Sequence, residues 1–120
     1  MGAFENLCSD HVEKRLNIHD FLVDQEEATF FATLNTQAMR DIGLMPKDVA
    51  VINRAAVARV GDIVMAVVDG EFTIRQLVKT KNNNLVLQAA NPDFKPIEIA
   101  RGNDFEIWGV VTGAFRKYSR

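Results

Sequence analysis

The sequence predicts a single, mainly β domain, on three observations. From Thr29 onward, β-branched and aromatic residues gather in short stretches. Turn-forming residues interrupt those stretches at intervals of about 8 to 12 residues, the spacing of an all-β or β-rich domain. Between two of them stands Asp69-Gly70, a two-residue hairpin signal, because a type I′ turn needs positive φ at both central residues and glycine accepts it at no steric cost.

In chain order, residues 1–28 read as a polar N-terminal arm with one short helix, and residues 29–120 as the β-rich part. Asn17 is placed to cap the helix Ile18-His19-Asp20-Phe21-Leu22, its side-chain oxygen accepting an early backbone amide. The strands expected next are 29–34, 48–53, 62–68, 72–78, 85–90, 97–100 and 104–115, the last long enough to bend or divide at Gly109 and Gly113. Strands 62–68 and 72–78 should pair antiparallel across the Asp69-Gly70 turn. Ile63 to Val68 is apolar without alternation, so that strand should be covered on both faces. Lys79 to Asn84 reads as an exposed polar loop. In the final strand, period-2 counting puts Phe105, Ile107, Val111 and Phe115 on one face and Trp108 and Val110 on the other. Two apolar faces on that strand fit either a subunit contact or burial inside one chain.

Composition narrows the function. The chain has 120 residues, 48% of them hydrophobic and 25% charged, and a domain of that size buries roughly two-thirds of its unfolded surface without disulfide or metal staples. Lys and Arg number 14 against 16 Asp and Glu, for a net charge of -2, so no basic excess is available to bind nucleic acid directly. The apolar run Ile63 to Val68 is far shorter than the ~20 residues of a membrane span. A single cysteine, Cys8, forms no internal disulfide, and the start Met1-Gly2-Ala3-Phe4-Glu5 lacks the features of a secretory signal. The expected compartment is the cytoplasm. Cys8, His11 and His19 do not make a four-ligand zinc site without carboxylates, and no metal or other cofactor is expected.

Two stretches carry a family resemblance. One is Phe30-Phe31-Ala32-Thr33-Leu34-Asn35-Thr36-Gln37-Ala38-Met39-Arg40-Asp41-Ile42-Gly43-Leu44, the other Gly61 to Leu77, which contains Val68-Asp69-Gly70-Glu71-Phe72-Thr73-Ile74-Arg75-Gln76. Together with Asn91-Pro92-Asp93-Phe94-Lys95-Pro96-Ile97 and Trp108-Gly109-Val110-Val111, they resemble the self-cleaving domain shared by LexA, phage repressors and the SOS mutagenesis protein UmuD, with UmuD the nearest in pattern. The resemblance spans nearly the whole chain. It implies twisted antiparallel sheets in a partly open, barrel-like core, with a helical turn near Thr36–Asp41. It also implies a chemistry: a serine hydroxyl, activated by a buried neutral lysine, cleaves a peptide bond in the protein's own N-terminal arm.

On this alignment the serine of the family's Gly-Asp-Ser-Met motif falls on Ala38, within Thr36-Gln37-Ala38-Met39, and the lysine falls on Arg75. Alanine has no attacking atom, and a guanidinium stays protonated and cannot act as a general base. Because Thr36, Gln37 and Arg75 depart from the motif along with Ala38, the change reads as natural loss rather than a single knock-out substitution. The chain also starts, at Met1-Gly2-Ala3-Phe4, where the family's arm has already been cut. The resemblance therefore implies a catalytically dead counterpart of UmuD′, the processed product of UmuD. Such a protein would form a homodimer and serve a UmuC-type Y-family polymerase as an accessory subunit in error-prone translesion synthesis. A RecA filament and full-length UmuD are further expected partners, without strong direct DNA binding and without a membrane. A regulator that forms mixed dimers with full-length UmuD or LexA-type proteins, altering their RecA-stimulated cleavage, is the alternative.

Thr36, Ser9, Cys8 and Ser119 are other nucleophiles in principle, but no neutral lysine is aligned with them, and Lys79 and Lys81 read as solvated loop charges. Arg75 should either reach water at the rim of an empty cleft or pair with Asp41 or Asp48, and it could have taken on a binding role there. Met65, Phe72 and Trp108 are the candidate dimer contacts by position, Trp108 first among them because large aromatics dominate interface energetics.

Overall fold

The computed structural model describes residues 16–99 and 104–119. Seven strands form one antiparallel sheet: β1 (Thr29–Thr33), β2 (Val49–Asn53), β3 (Ile63–Val68), β4 (Glu71–Lys79), β5 (Leu85–Gln88), β6 (Ile97–Glu98) and β7 (Phe105–Phe115). Their spatial order is β1-β2-β7-β3-β4-β5-β6. Every expected strand is present, within one or two residues at each end, so the fold is mainly β as the sequence predicts. The expected helix is also present: α1 (Ile18–Leu22) begins at Asn17, whose Oδ1 accepts from the Asp20 amide at 3.1 Å. A single 3-10 turn, Glu26–Ala28, leads into β1.

The hairpin between β3 and β4 follows from its two turn residues. Asp69 has φ of 49° and Gly70 of 84°, the pair of positive angles that a type I′ turn demands, and Val68 lies opposite Glu71. Asp69 is tied further, its amide donating to Asp104 O at 2.8 Å and its Oδ1 accepting from the Asp104 amide.

β3 is covered on both faces, as its unbroken apolar run predicts. Met65 belongs to one core cluster with Leu34, Met39, Leu44, Ala50, Ile52 and Ile74. Val64 and Ala66 belong to the other, with Leu77 and Leu87. β7 is not divided at its glycines, and here the period-2 expectation fails. Met65 faces Gly109 while the next residue, Ala66, faces Ile107; Val51 faces Gly113 while Ile52 faces Val111. Trp108 and Thr112 are thus the extra residues of two bulges, and each bulge reverses the alternation. Phe105 and Ile107 pack on the second cluster, whereas Trp108 and Val111 pack on the first. Gly109 sits where β2 presses closest: a Cβ there would lie 2.5 Å from Ile52 Cγ2.

The helical turn expected near Thr36–Asp41 forms at the end of that span, as a 3-10 turn at Arg40–Ile42 closed by Gly43 in the left-handed conformation. Among the described residues no helix is long and apolar enough to cross a membrane.

Candidate functional site

Two segments that the sequence singles out meet at the first core cluster. The segment after β1 is held by its own backbone: the Leu34 amide donates to Asp48 O at 2.8 Å and the Lys47 amide to Leu34 O at 2.7 Å. Within it Ala38 and Met39 are fully buried. Thr36 turns back on the segment, its Oγ1 accepting from the Ala38 amide at 3.1 Å. The loop after β5 clamps the far side. Asp41 donates its amide to Ala90 O, Asn91 Nδ2 donates to Gln37 O at 2.8 Å, and Asn91 Oδ1 accepts from the Asp93 amide and from Arg40. Asn91 is a buried amide with its donor and acceptor both used, which is how a buried polar group is stabilised. Its Asn-Pro signature is visible in the sequence, but its part in fixing this segment is visible only in the fold.

Arg75 comes from the middle of β4, opposite Val64 of β3. It is 9% exposed and lines the groove described below. Neither expected carboxylate pairs with it. Asp48 accepts both guanidinium contacts of Arg116, at 2.6 and 2.8 Å, and Asp41 pairs with Arg40 at 3.1 Å. Arg75 instead donates from Nη1 to the neighbouring Ile74 carbonyl at 2.8 Å, and Nε is buried with no partner among the described residues. Its Cζ lies 5.5 Å from the centroid of the Phe94 ring. Burial pushes the Arg75 pKa down, from a starting value so high that the group remains a cation.

A groove of about 370 Å³ opens between these segments, lined by Thr36 on one side, Thr73, Ile74 and Arg75 on the other, and Ile52 and Met65 beneath. Phe72 and Trp108 complete it. Trp108 meets Phe72 and Phe30 edge-on, at centroid distances of 5.7 and 5.2 Å. Arg54 lies over the indole at 4.2 Å and donates from Nε to Trp108 O. Phe30 and Arg54 are members of this aromatic cluster that the sequence alone does not reveal, because β1 and the residue after β2 reach Trp108 only once β7 has bulged.

Of the candidate contact residues, Phe72 is 63% exposed, Trp108 is half-buried at the groove, and Met65 is in the core. Met65 therefore offers little surface to a second chain. His19 is exposed on α1, Ser119 is exposed after β7, and Lys79 and Lys81 are exposed around the loop before β5. Cys8, Ser9 and His11 lie outside the described residues. Among the described residues no three His, Cys, Asp or Glu side chains lie together as a metal site.

With the groove between the 34–43 segment and β4 in view, comparison with known proteins decides the kinship. The model of the Peptidase S24-like family matches residues 1–112. The chain belongs to that family. This S24-like domain is 34% identical to the LexA repressor of Bordetella parapertussis over 110 residues, covering 92% of this chain and 50% of the repressor. It is 32% identical to protein SamA of Salmonella typhimurium over 117 residues, 97% of this chain and 79% of SamA. To protein ImpA of Escherichia coli it is 30% identical over 111 residues, 92% of this chain and 74% of ImpA. The S24-like domain spans about half the length of the LexA repressors it matches. The family is one of self-cleaving peptidases that use a serine and a lysine.

Proposed function

We propose that this chain is a catalytically inactive member of the S24-like family, a UmuD′-type accessory subunit that forms a homodimer and serves a UmuC-type error-prone polymerase in the cytoplasm. The observation that carries the reading is the pair Ala38 and Arg75. The motif alignment sets them on the family's serine and lysine, 37 residues apart (38 to 75). An alanine at the first position supplies no nucleophile, and a buried guanidinium at the second supplies donors but no lone pair for a proton. The Ala38 amide itself is hydrogen-bonded to Thr36 Oγ1. Among the described residues no lysine or histidine is bonded to the Thr36 hydroxyl, so none of them is set to activate it as a nucleophile.

An accessory role needs surface rather than chemistry. The exposed Phe72 and Phe30 beside Trp108 form an aromatic face of the kind that anchors protein contacts. Co-expression with a UmuC-type polymerase from the same source, followed by pull-down and light scattering, tests the reading. A complex of two small subunits with one polymerase is expected. A clean homodimer that ignores the polymerase but exchanges with full-length UmuD or LexA-type proteins would replace it with the mixed-dimer regulator. Incubation with RecA filaments and full-length UmuD should leave this chain uncut; new fragments made by this chain would end the inactive reading. Trp108→Glu should shift the homodimer to monomer by light scattering while circular dichroism stays unchanged. Loss of the β signal instead would return Trp108 to a purely structural role.

A further inference from the structure

A guanidinium has five N–H donors, and the environment of Arg75 uses few of them. Among the described residues, Nη1 reaches the Ile74 carbonyl, Nε reaches nothing, and no carboxylate is paired with the group. A buried cation without a counter-charge is costly to hold. The face of Phe94 at 5.5 Å supplies a part of the missing stabilisation and fixes where the guanidinium lies. Nε is shut off from solvent, so the donors left for a ligand are the remaining ones of Nη1 and Nη2, beside a groove that Arg75 helps to line.

The rest of that groove narrows the chemistry of what fits. At about 370 Å³ it lies within the usual ~300–1,000 Å³ of ligand clefts, and its walls are mostly apolar: Ile52, Met65, Phe72 and Trp108. One cation in an apolar setting suits one carboxylate attached to an apolar neighbour. A phosphate dianion would call for a second cation, and Arg54, the nearest by way of Trp108, is already stacked and hydrogen-bonded. The chain's net charge of -2 gives no general attraction for anions, so recognition depends on this one side chain. The groove also runs along Ala32 and Thr33 of β1, the edge strand of the sheet, where an extended chain can hydrogen-bond to free backbone groups.

We infer that the groove binds an extended peptide segment of a partner protein, seating an Asp or Glu carboxylate on Arg75 and a large apolar side chain on the floor formed by Ile52 and Met65. The inference deepens the reading of Ala38 and Arg75 as a non-catalytic pair: the position assigned to a base in the family acts here as a carboxylate anchor.

The test uses the full chain and a short peptide, acetylated and amidated, with one Glu two residues from a Phe, beside its Gln isostere. Trp108, the sole tryptophan, reports binding by fluorescence, and the Arg75 Nε–H resonance reports the contact by NMR. The Glu peptide should bind at least about tenfold tighter than the Gln peptide, as expected of a charge-assisted contact, and move the Nε–H signal where the Gln peptide does not. Arg75→Gln should abolish the preference and Arg75→Lys retain part of it. Equal affinity for the two peptides, or an unchanged preference in Arg75→Gln, would overturn the inference. So would displacement of the Glu peptide by inorganic phosphate at equal concentration, which would make the groove a simple anion site. If Arg75→Gln does not fold, the Nε–H shift in the unaltered protein decides alone. Mass spectrometry of the peptides separates the two readings: cleaved peptide refutes the inactive pair whatever the affinity, and intact peptide without preference refutes only the anchor.

Discussion

Arg116 and Arg75 are two arginines of one sheet with opposite fates. Arg116, half-exposed just after β7, sets its fork on the 3% exposed Asp48 and adds a third bond to Gly43 O. Arg75, deep in β4, holds a neighbouring carbonyl and an aromatic face. The first is a closed contact in which every charge has its opposite within hydrogen-bond reach. The second is open. The fold uses a charge as a structural clamp where two segments distant in sequence must meet, and leaves one uncommitted where the groove is. Arg116 raises no question of ligand because Asp48 already fills its fork.

That contrast can be broken by mutation. Arg116→Met strands the buried Asp48 carboxylate and should give the largest loss of stability of these variants in urea unfolding. Asp48→Ala should cost somewhat less, about 2 kcal/mol, since Arg116 is left in water and the Met45 amide loses its acceptor. Arg75→Met should shift stability by no more than about 1 kcal/mol in either direction, because the guanidinium it removes has no counter-charge to strand. A loss as large as that of Arg116→Met would show that Arg75 is a clamp too.

Acid sharpens the same difference. The hydrogen bonds from Arg116, with the Met45 amide adding to them, hold the Asp48 pKa down from 3.8 to about 2 against the opposing effect of burial. A carboxylate depressed in the folded state contributes stability that is complete above its unfolded pKa and is lost as pH falls through the folded one. Stability should therefore decline between about pH 4 and pH 2, and Asp48→Asn should flatten that arm of the profile. Replacing Arg75 should leave the acid arm unchanged. The smallest expected effect is on activity: Ala38→Ser alone should yield no cleavage by gel or mass spectrometry, because Arg75 still cannot take the hydroxyl proton. Cleavage by that single variant would show that some other group acts as base.

What the sequence makes legible follows from the range over which each signal acts. The Asp69-Gly70 turn and the Asn17 cap are decided within four residues, and both form as read. The seven strands are set by local β-branched and aromatic composition and are found nearly to the residue. The bulges at Trp108 and Thr112 are not local: they arise because β7 must register with β2 on one side and β3 on the other, and no counting along β7 alone contains that demand. That Asp48 does not pair with Arg75 is out of reach of the sequence for the same reason. Asp48 is a plausible carboxylate by position, but the Arg116 that claims it lies 68 residues away. Ala38 and Arg75 stand out by pattern, whereas Thr36 on the Ala38 amide, Phe94 under the guanidinium and Asn91 clamping the loop required the fold.

The strand order carries a further consequence, for the sequence of events during synthesis. β7 follows the other six strands of this sheet in the chain, yet it lies between β2 and β3 and makes the sheet continuous. Until it leaves the ribosome, the nascent chain holds a β1–β2 hairpin and a β3–β6 meander, with bare edges at β2 and β3 that no earlier strand fills. Exposed edges of this kind invite pairing with other chains. The most aggregation-prone moment in the making of this domain therefore comes just before β7 is in place, and the segment that closes the sheet brings with it the arginine that clamps Asp48.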